Sequence, residues 1–225
     1  INIPFFQNEW LDIKFTDLTV KTSSFKLPDS DFYSRLFVEF DKKYSSVKDL
    51  PSSWVEEKQI ISDYFIKQKK GKNILSYGSG LGVVEIKINN EGGNITCSDF
   101  TKYISRFIKE NNLNFVDVNE IKKKYDIIFF SYVLYSLNKK ELKELIKKLK
   151  INLNSEGEFI VIFHEKKKVQ MRDILRILYL NIFKKHQFWG YERDSEFYRR
   201  IFLSEGFKQK SIELFSNHTI LTFGS

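Results

Sequence analysis

Cysteine, methionine and proline are scarce in this chain: 225 residues hold 1 Cys, 1 Met and 3 Pro. A single thiol excludes a disulfide framework within the chain and any cysteine-based zinc site. Cys97 lies in the run Ile95-Thr96-Cys97 and reads as a buried structural thiol. The shortage of Pro and Met, set against abundant Lys, Ile, Asn and Phe, reflects AT-rich codons and carries no chemistry. Long apolar runs are missing as well. The segment from Ile174 to Phe183 is short and interrupted by Arg176 and Asn181. No stretch therefore reads as a signal peptide or a membrane span, and the default expectation is a cytoplasmic protein. There is no glycine-rich RNA-binding tract, internal repeat or low-complexity segment. The three histidines have no local metal-ligand spacing, and no metal is expected.

What is present is ordinary in bulk and unusual in one respect. Hydrophobic content of 42% and charged content of 29% suit a soluble globular chain, whose length allows one α/β domain with additions. Aromatic content is 16%, mostly Phe and Tyr, enough to fill a core and still line a pocket. The net charge of +8 is spread over Lys69-Lys70, Lys122-Lys123-Lys124, Lys147-Lys148 and Lys166-Lys167-Lys168. Those runs read as solvated faces or as attraction to an acidic or phosphorylated substrate; nucleic acid is the lesser reading.

Up to Leu50 the chain is aromatic and irregular, with one helix expected from Asp31 to Tyr44 after helix-start residues at Asp29 and Ser30. A second helix is expected from Ser53 to Lys69. From Lys72 strands and helices alternate. Strands are expected at 73–77, 94–98, 113–118, 125–130 and 157–163, and helices from Gly82, over 101–111 and over 139–149. Tyr125 to Phe130 has the continuous apolar character of a parallel strand covered on both faces. Beyond it come a helix over Val169–Phe183, a loop through Trp189-Gly190-Tyr191, a helix over Ser195–Leu203, and a hairpin of 207–215 with 219–223. This pattern predicts a doubly wound, mostly parallel seven-stranded α/β sheet with a C-terminal antiparallel hairpin and an N-terminal helical, aromatic cap. Residues 1–70 form the cap and residues 71–225 the main domain, with a cap-forming insertion at about 165–195.

The first strand runs into Gly78-Ser79-Gly80-Leu81-Gly82 and then a helix, which leaves backbone amides open to a ligand that approaches without meeting a Cβ. Val83 stands where a dinucleotide-binding loop needs Gly or Ala, which places an oxidoreductase last. Asp99 closes the next strand, where a carboxylate can accept ribose hydroxyls, and Asp117 closes the third, near a nucleobase amine. Each also reads as a strand-end Asp bonded to nearby backbone N–H groups.

Ile74 to Gly82 resembles the first motif of class I S-adenosylmethionine-dependent methyltransferases. Asp99-Phe100, Phe115 to Val118, Tyr125 to Leu137 and Leu153 to Ile162 are similar to the family's later strands, so the likeness covers about Lys72 to Phe163 and the terminal hairpin. It implies S-adenosylmethionine as cofactor. By this likeness Gly78, Gly80 and Gly82 flank its methionine part, Asp99 holds the ribose, and Tyr77 is a further cofactor contact. Phe100 packs on adenine, Asp117 and Val118 read the adenine edge, and Ser131 and Tyr132 face the sulfonium. One position departs: the family's acid two residues before the first glycine is Ser76 here, which leaves open weaker cofactor binding, a substitute acid such as Glu85, or a degenerate domain.

For the acceptor, His164 and Glu165 end the fifth strand at the rim of the expected crevice. His164 is the candidate base, or a strand-end histidine bonded to a loop carbonyl. Tyr135, Glu165, His186, Trp189, Tyr191 and Arg193 are candidate acceptor contacts, the aromatic rings for stacking and Arg193 for a phosphate. The alternative is an aromatic cluster that anchors the linker. Trp10, Tyr33 and Trp54 are possible walls, and His218 reads as structural. The segment 188–207 is loosely similar to bacterial small-molecule methyltransferases, some acting on sugars. An O-methyltransferase for a sugar, nucleotide-linked sugar or surface-glycan precursor is the leading expectation. An RNA methyltransferase and a non-catalytic cofactor-binding domain are the alternatives.

Overall fold

The computed structural model describes residues 2–18, 26–101, 103–166, 175, 179 and 186–224. The helix expected over Val169–Phe183, except for Leu175 and Tyr179, and Lys167 and Lys168 lie outside them. Eleven strands and six α-helices are defined among the described residues. In chain order the strands are β1 (Ile3–Gln7), β2 (Glu9–Trp10), β3 (Ile13–Lys14), β4 (Asn73–Tyr77), β5 (Asn94–Asp99), β6 (Asn114–Asp117), β7 (Tyr125–Ser131), β8 (Leu153–Phe163), β9 (Gln187–Glu192), β10 (Lys208–Phe215) and β11 (His218–Gly224). The helices are α1 (Ser30–Lys43), α2 (Ser52–Gln68), α3 (Val83–Asn90), α4 (Arg106–Glu110), α5 (Lys139–Lys150) and α6 (Ser195–Ser204).

Local chemistry sets the helix starts. The Asp29 carboxylate accepts from Phe32 N and opens α1, and Asn138 with Glu141 forms a reciprocal cap on α5. Leu142, Leu145, Ile146 and Leu149 recur at helical spacing and bury one side of α5 against the sheet. Seven strands form that sheet in the order β10-β11-β8-β7-β4-β5-β6, with β11 alone running against the rest. Ile127, Ile128, Phe129 and Phe130 of β7 are buried to 1% exposure or less, because helices cover both faces of the central strands. Each such side chain contributes about 1.5–3 kcal/mol through burial. The strand order reverses at β4, between β5 and β7, and a ligand crevice belongs at the carboxyl ends there.

Two expectations are corrected. Residues 101 and 103–105 are not helical, because Asp99 accepts from Thr101 N and the Thr101 hydroxyl oxygen accepts from Tyr103 N. Those side-chain bonds replace a helical turn, and α4 starts only after Ser105 caps Phe107 N. The expected loop through Trp189 is a strand instead: β9 pairs antiparallel with β1, a partner at the far end of the chain that no local pattern reveals. The N-terminal residues are therefore tied to the insertion. Phe15, Phe37 and Phe40 share one core cluster with Ile74, Phe129 and Ile160 of the sheet. No helix among the described residues is long and apolar enough to cross a membrane.

Candidate functional site

After β4 the chain turns through Gly78, Gly80 and Gly82 at φ of +80°, +56° and +78°. Side chains rarely adopt that region, and at Gly78 a Cβ would stand 2.4 Å from Val133 Cγ2. The loop amides are less open than the sequence suggests. Gly78 N and Ser79 N both donate to Ser98 O, Gly82 N donates to Ser79 O, and Gly80 N donates to the Asp99 carboxylate at 2.9 Å. Asp99 is 5% exposed and also accepts from Thr101 N, and burial raises its pKa. Its oxygens hold the loop in shape. Asp117 lies half-buried at the end of β6 and accepts from Asn119 N, the strand-end role foreseen for it. Val118 follows in a half-buried turn.

An acid does stand beneath the loop. Ser76 Oγ donates to the carboxylate of Glu85 on α3, which is fully enclosed, and burial pushes Glu85 up to about 7. Beside the loop lies a cleft of about 560 Å³ lined by Tyr77, Phe100, Val133, Leu137 and Tyr191, among others. Phe100 remains 36% exposed and meets Tyr33 edge to face at 5.2 Å. Burial, with Asp99 and Asp117 nearby, pushes the Tyr77 phenol up to about 12.

A second cavity of about 340 Å³ opens over the ends of β7 and β8, lined by Tyr132, Val133, Tyr135, His164, Trp189 and Tyr191 among others. Val133 and Tyr191 border both cavities. Ser131 ends β7 opposite Ile162 of β8 and is half-buried. Tyr132 follows at φ +53°, and its ring turns toward the histidines. Its hydroxyl lies 2.5 Å from His218 Nδ1 and 3.2 Å from each ring nitrogen of His164. His164 Nε2 is 3.5 Å from Glu57 Oε1 on α2, and that carboxylate raises the pKa of the half-exposed imidazole. Tyr135 bonds Tyr33 and Trp189, and a Cβ on Gly190 would meet its ring at 2.4 Å, so β9 packs directly on it.

Several expected acceptor contacts are occupied elsewhere. Arg193 is 2% exposed, and its guanidinium donates to Leu134 O at 2.7 Å, Leu137 O at 2.5 Å and Asn2 Oδ1 at 3.0 Å. It braces the turn after β7. Glu165 accepts from Ser195 N and Oγ, so it caps α6. Trp189 is 3% exposed and stacks on Phe15 at 5.0 Å. Trp10 packs on Phe40, Trp54 and Trp189 and lines neither cavity. His186 precedes β9 and lines neither cavity. Sequence reasoning missed Glu57 and Lys58, and His218 is no mere hairpin residue. These side chains carry no local signal and meet only through the topology.

The same architecture occurs in solved methyltransferases. Magnesium protoporphyrin IX methyltransferase from Synechocystis, crystallised with bound S-adenosylhomocysteine, aligns at a TM-score of 0.58 and 17% identity over 76% of this chain and 83% of its own. The fold is that of the class I methyltransferases. Mitomycin 7-O-methyltransferase matches this fold at a TM-score of 0.63 and 11% identity over 86% of this chain. Human N-acetylserotonin methyltransferase, in complex with S-adenosylmethionine, gives 0.59 and 14% over 88%. The chain spans 56% and 57% of the length of those two proteins. No protein-family model matches the sequence, and comparison with curated proteins finds no match.

Proposed function

We propose that the protein is an S-adenosylmethionine-dependent O-methyltransferase acting on a hydroxyl of a small, uncharged ring compound. The observation that carries this reading is the wall shared by the two cavities: Val133 and Tyr191 border both, so donor and acceptor can meet across them. In-line transfer requires that adjacency, and the protein contributes positioning and exclusion of water. Both volumes fall within the roughly 300–1,000 Å³ of small-molecule sites.

The residues present fit the cofactor. At Gly80 an added Cβ would meet only Phe37, at 3.8 Å, so a ligand can approach the backbone closely. Gly78, Gly80 and Gly82 would hold the methionine part, Asp99 the ribose, and Phe100, Asp117 and Val118 the adenine. Tyr77, Ser131 and Tyr132 would line the sulfonium side. When bound, the cofactor supplies a methyl group on an already activated leaving group. His164 at the cavity rim takes the acceptor proton, and Glu57 holds the imidazole and raises its basicity.

The acceptor class follows from what the pocket offers. Tyr132, Tyr135, Trp189 and Tyr191 are among the residues that line the pocket, and an aromatic lining suits a sugar or an aromatic ring. Arg193 is engaged with backbone carbonyls, and Lys166 with Glu192 at 2.7 Å, which disfavours a phosphorylated acceptor. The structures matched are named for porphyrin, mitomycin and N-acetylserotonin, all ring acceptors.

Labelled cofactor offered with phenols, neutral sugars, nucleotide sugars and RNA tests the proposal. Label is expected on neutral ring hydroxyls; label confined to RNA overturns it. His164→Gln is expected to lower kcat by about 10²–10⁴-fold with cofactor affinity unchanged. A base must be neutral, so kcat rises with pH through the His164 pKa, above its usual 6.5. Glu57→Gln removes the group that raises it and moves that limb to lower pH.

A further inference from the structure

The histidines are scattered in sequence, yet the fold gathers two of them with a carboxylate. Glu57 near the start of α2, His164 after β8 and His218 at the start of β11 each offer a ligand atom within 4.8 Å of the others. His218 is fully buried, Glu57 half-buried and His164 exposed, so the group has a fixed floor and an open side. The two imidazole planes lie within 18° of each other with centroids 5.5 Å apart, and the Tyr132 hydroxyl reaches both rings. Three separate elements position the three side chains, so the arrangement exists before any ligand arrives.

We propose that Glu57, His164 and His218 bind one borderline transition-metal dication, of the zinc or iron(II) kind, with open positions toward Tyr132 and the acceptor cavity. Two imidazoles and one carboxylate form a three-ligand set that leaves room for water or substrate. One protein carboxylate is too few hard oxygens for calcium, and magnesium would need mostly water.

Lys58 is the competitor. Its Nζ lies 3.7 Å from Glu57 Oε1 and 4.1 Å from the Tyr132 ring centre, and burial lowers its pKa. An arriving dication must share Glu57 with that ammonium, so removing the lysine charge favours the ion. The ion site stands on this geometry whether or not methyl transfer occurs. If it does, His164 serves as base in the metal-free chain and as a ligand once an ion is bound.

Chelator-treated full-length protein titrated with zinc alone, magnesium alone, and cobalt(II) as a visible-absorption probe tests the site. One zinc per chain, no saturable magnesium, and a tetrahedral cobalt spectrum are expected. Glu57→Gln keeps the buried imidazole in place and is expected to weaken zinc at least tenfold, as is His218→Ala where it folds. Lys58→Met is expected to tighten it. Absence of zinc binding, or zinc binding indifferent to Glu57→Gln, overturns the proposal. Because the readout is metal bound per chain, failure here is distinct from absence of label on any acceptor.

Discussion

The glycine loop and the corner around Tyr132 stand at the ends of neighbouring strands, β4 and β7, and are built in opposite ways. The loop is contiguous: its shape comes from three glycines in a left-handed region, closed by bonds to Ser98 and Asp99 on the adjacent strand. The corner is composite. Glu57, Tyr132, His164 and His218 arrive from four stretches of chain and meet through side chains alone. A site written in backbone geometry constrains residue type locally and is visible in a sequence. A site written in side-chain contact depends on strand order, which one sequence does not display.

Three substitutions sharpen that contrast. The largest effect is expected at Gly78→Ala, which combines a positive φ with a clash against Val133. A loss of about 4 kcal/mol, summed from left-handed strain and overpacking, should be measurable by denaturant unfolding. If Val133→Ala restores all of it, the clash and not the backbone defines the loop. Next is Arg193→Ala, which leaves the carbonyls of Leu134 and Leu137 without their donors. About 3 kcal/mol of stability is expected to go, with no recovery in Arg193→Lys, because lysine lacks the planar fork. Full recovery by lysine would mean that charge alone braces the corner.

The third effect, at Glu85, shows only as a change of slope with pH. Its carboxyl titrates near 7 in the folded chain and near the ordinary 4.5 when unfolded. The unfolded state then holds fewer protons between those values, so this group's contribution is intact below pH 4.5 and is lost as pH rises toward and through 7. Glu85→Gln is expected to flatten stability between pH 5 and about 8, read from unfolding midpoints across that range. An unchanged slope would mean that the Ser76 hydroxyl, and not a buried acid, is what the loop rests on.

Legibility followed the same division. The seven-stranded sheet, the helix start at Asp29 and the glycine turn were all readable, because capping residues, buried apolar runs and positive φ act within a few residues. The pairing of β1 with β9 was hidden, since an aromatic stretch such as Gln187–Glu192 is strand only when a partner supplies the ladder. Arg193 and Glu165 looked like ligand contacts because charge near a crevice has two uses, and sequence does not reveal which carbonyl or amide is waiting nearby. His218 was set aside for its place in a hairpin. Strand β11 runs against its neighbours, so its first residue, not its last, lies at the functional end of the sheet.

Tyr132 has a further consequence. A bulky side chain at φ +53° costs the fold about 1–2 kcal/mol, and asparagine or glycine would relieve it. That amounts to a factor of roughly 5–30 in the balance between folded and unfolded chains. The phenol between the two imidazoles is therefore held in place against the preference of its own backbone, at the spot where durability and chemistry ask for different residues.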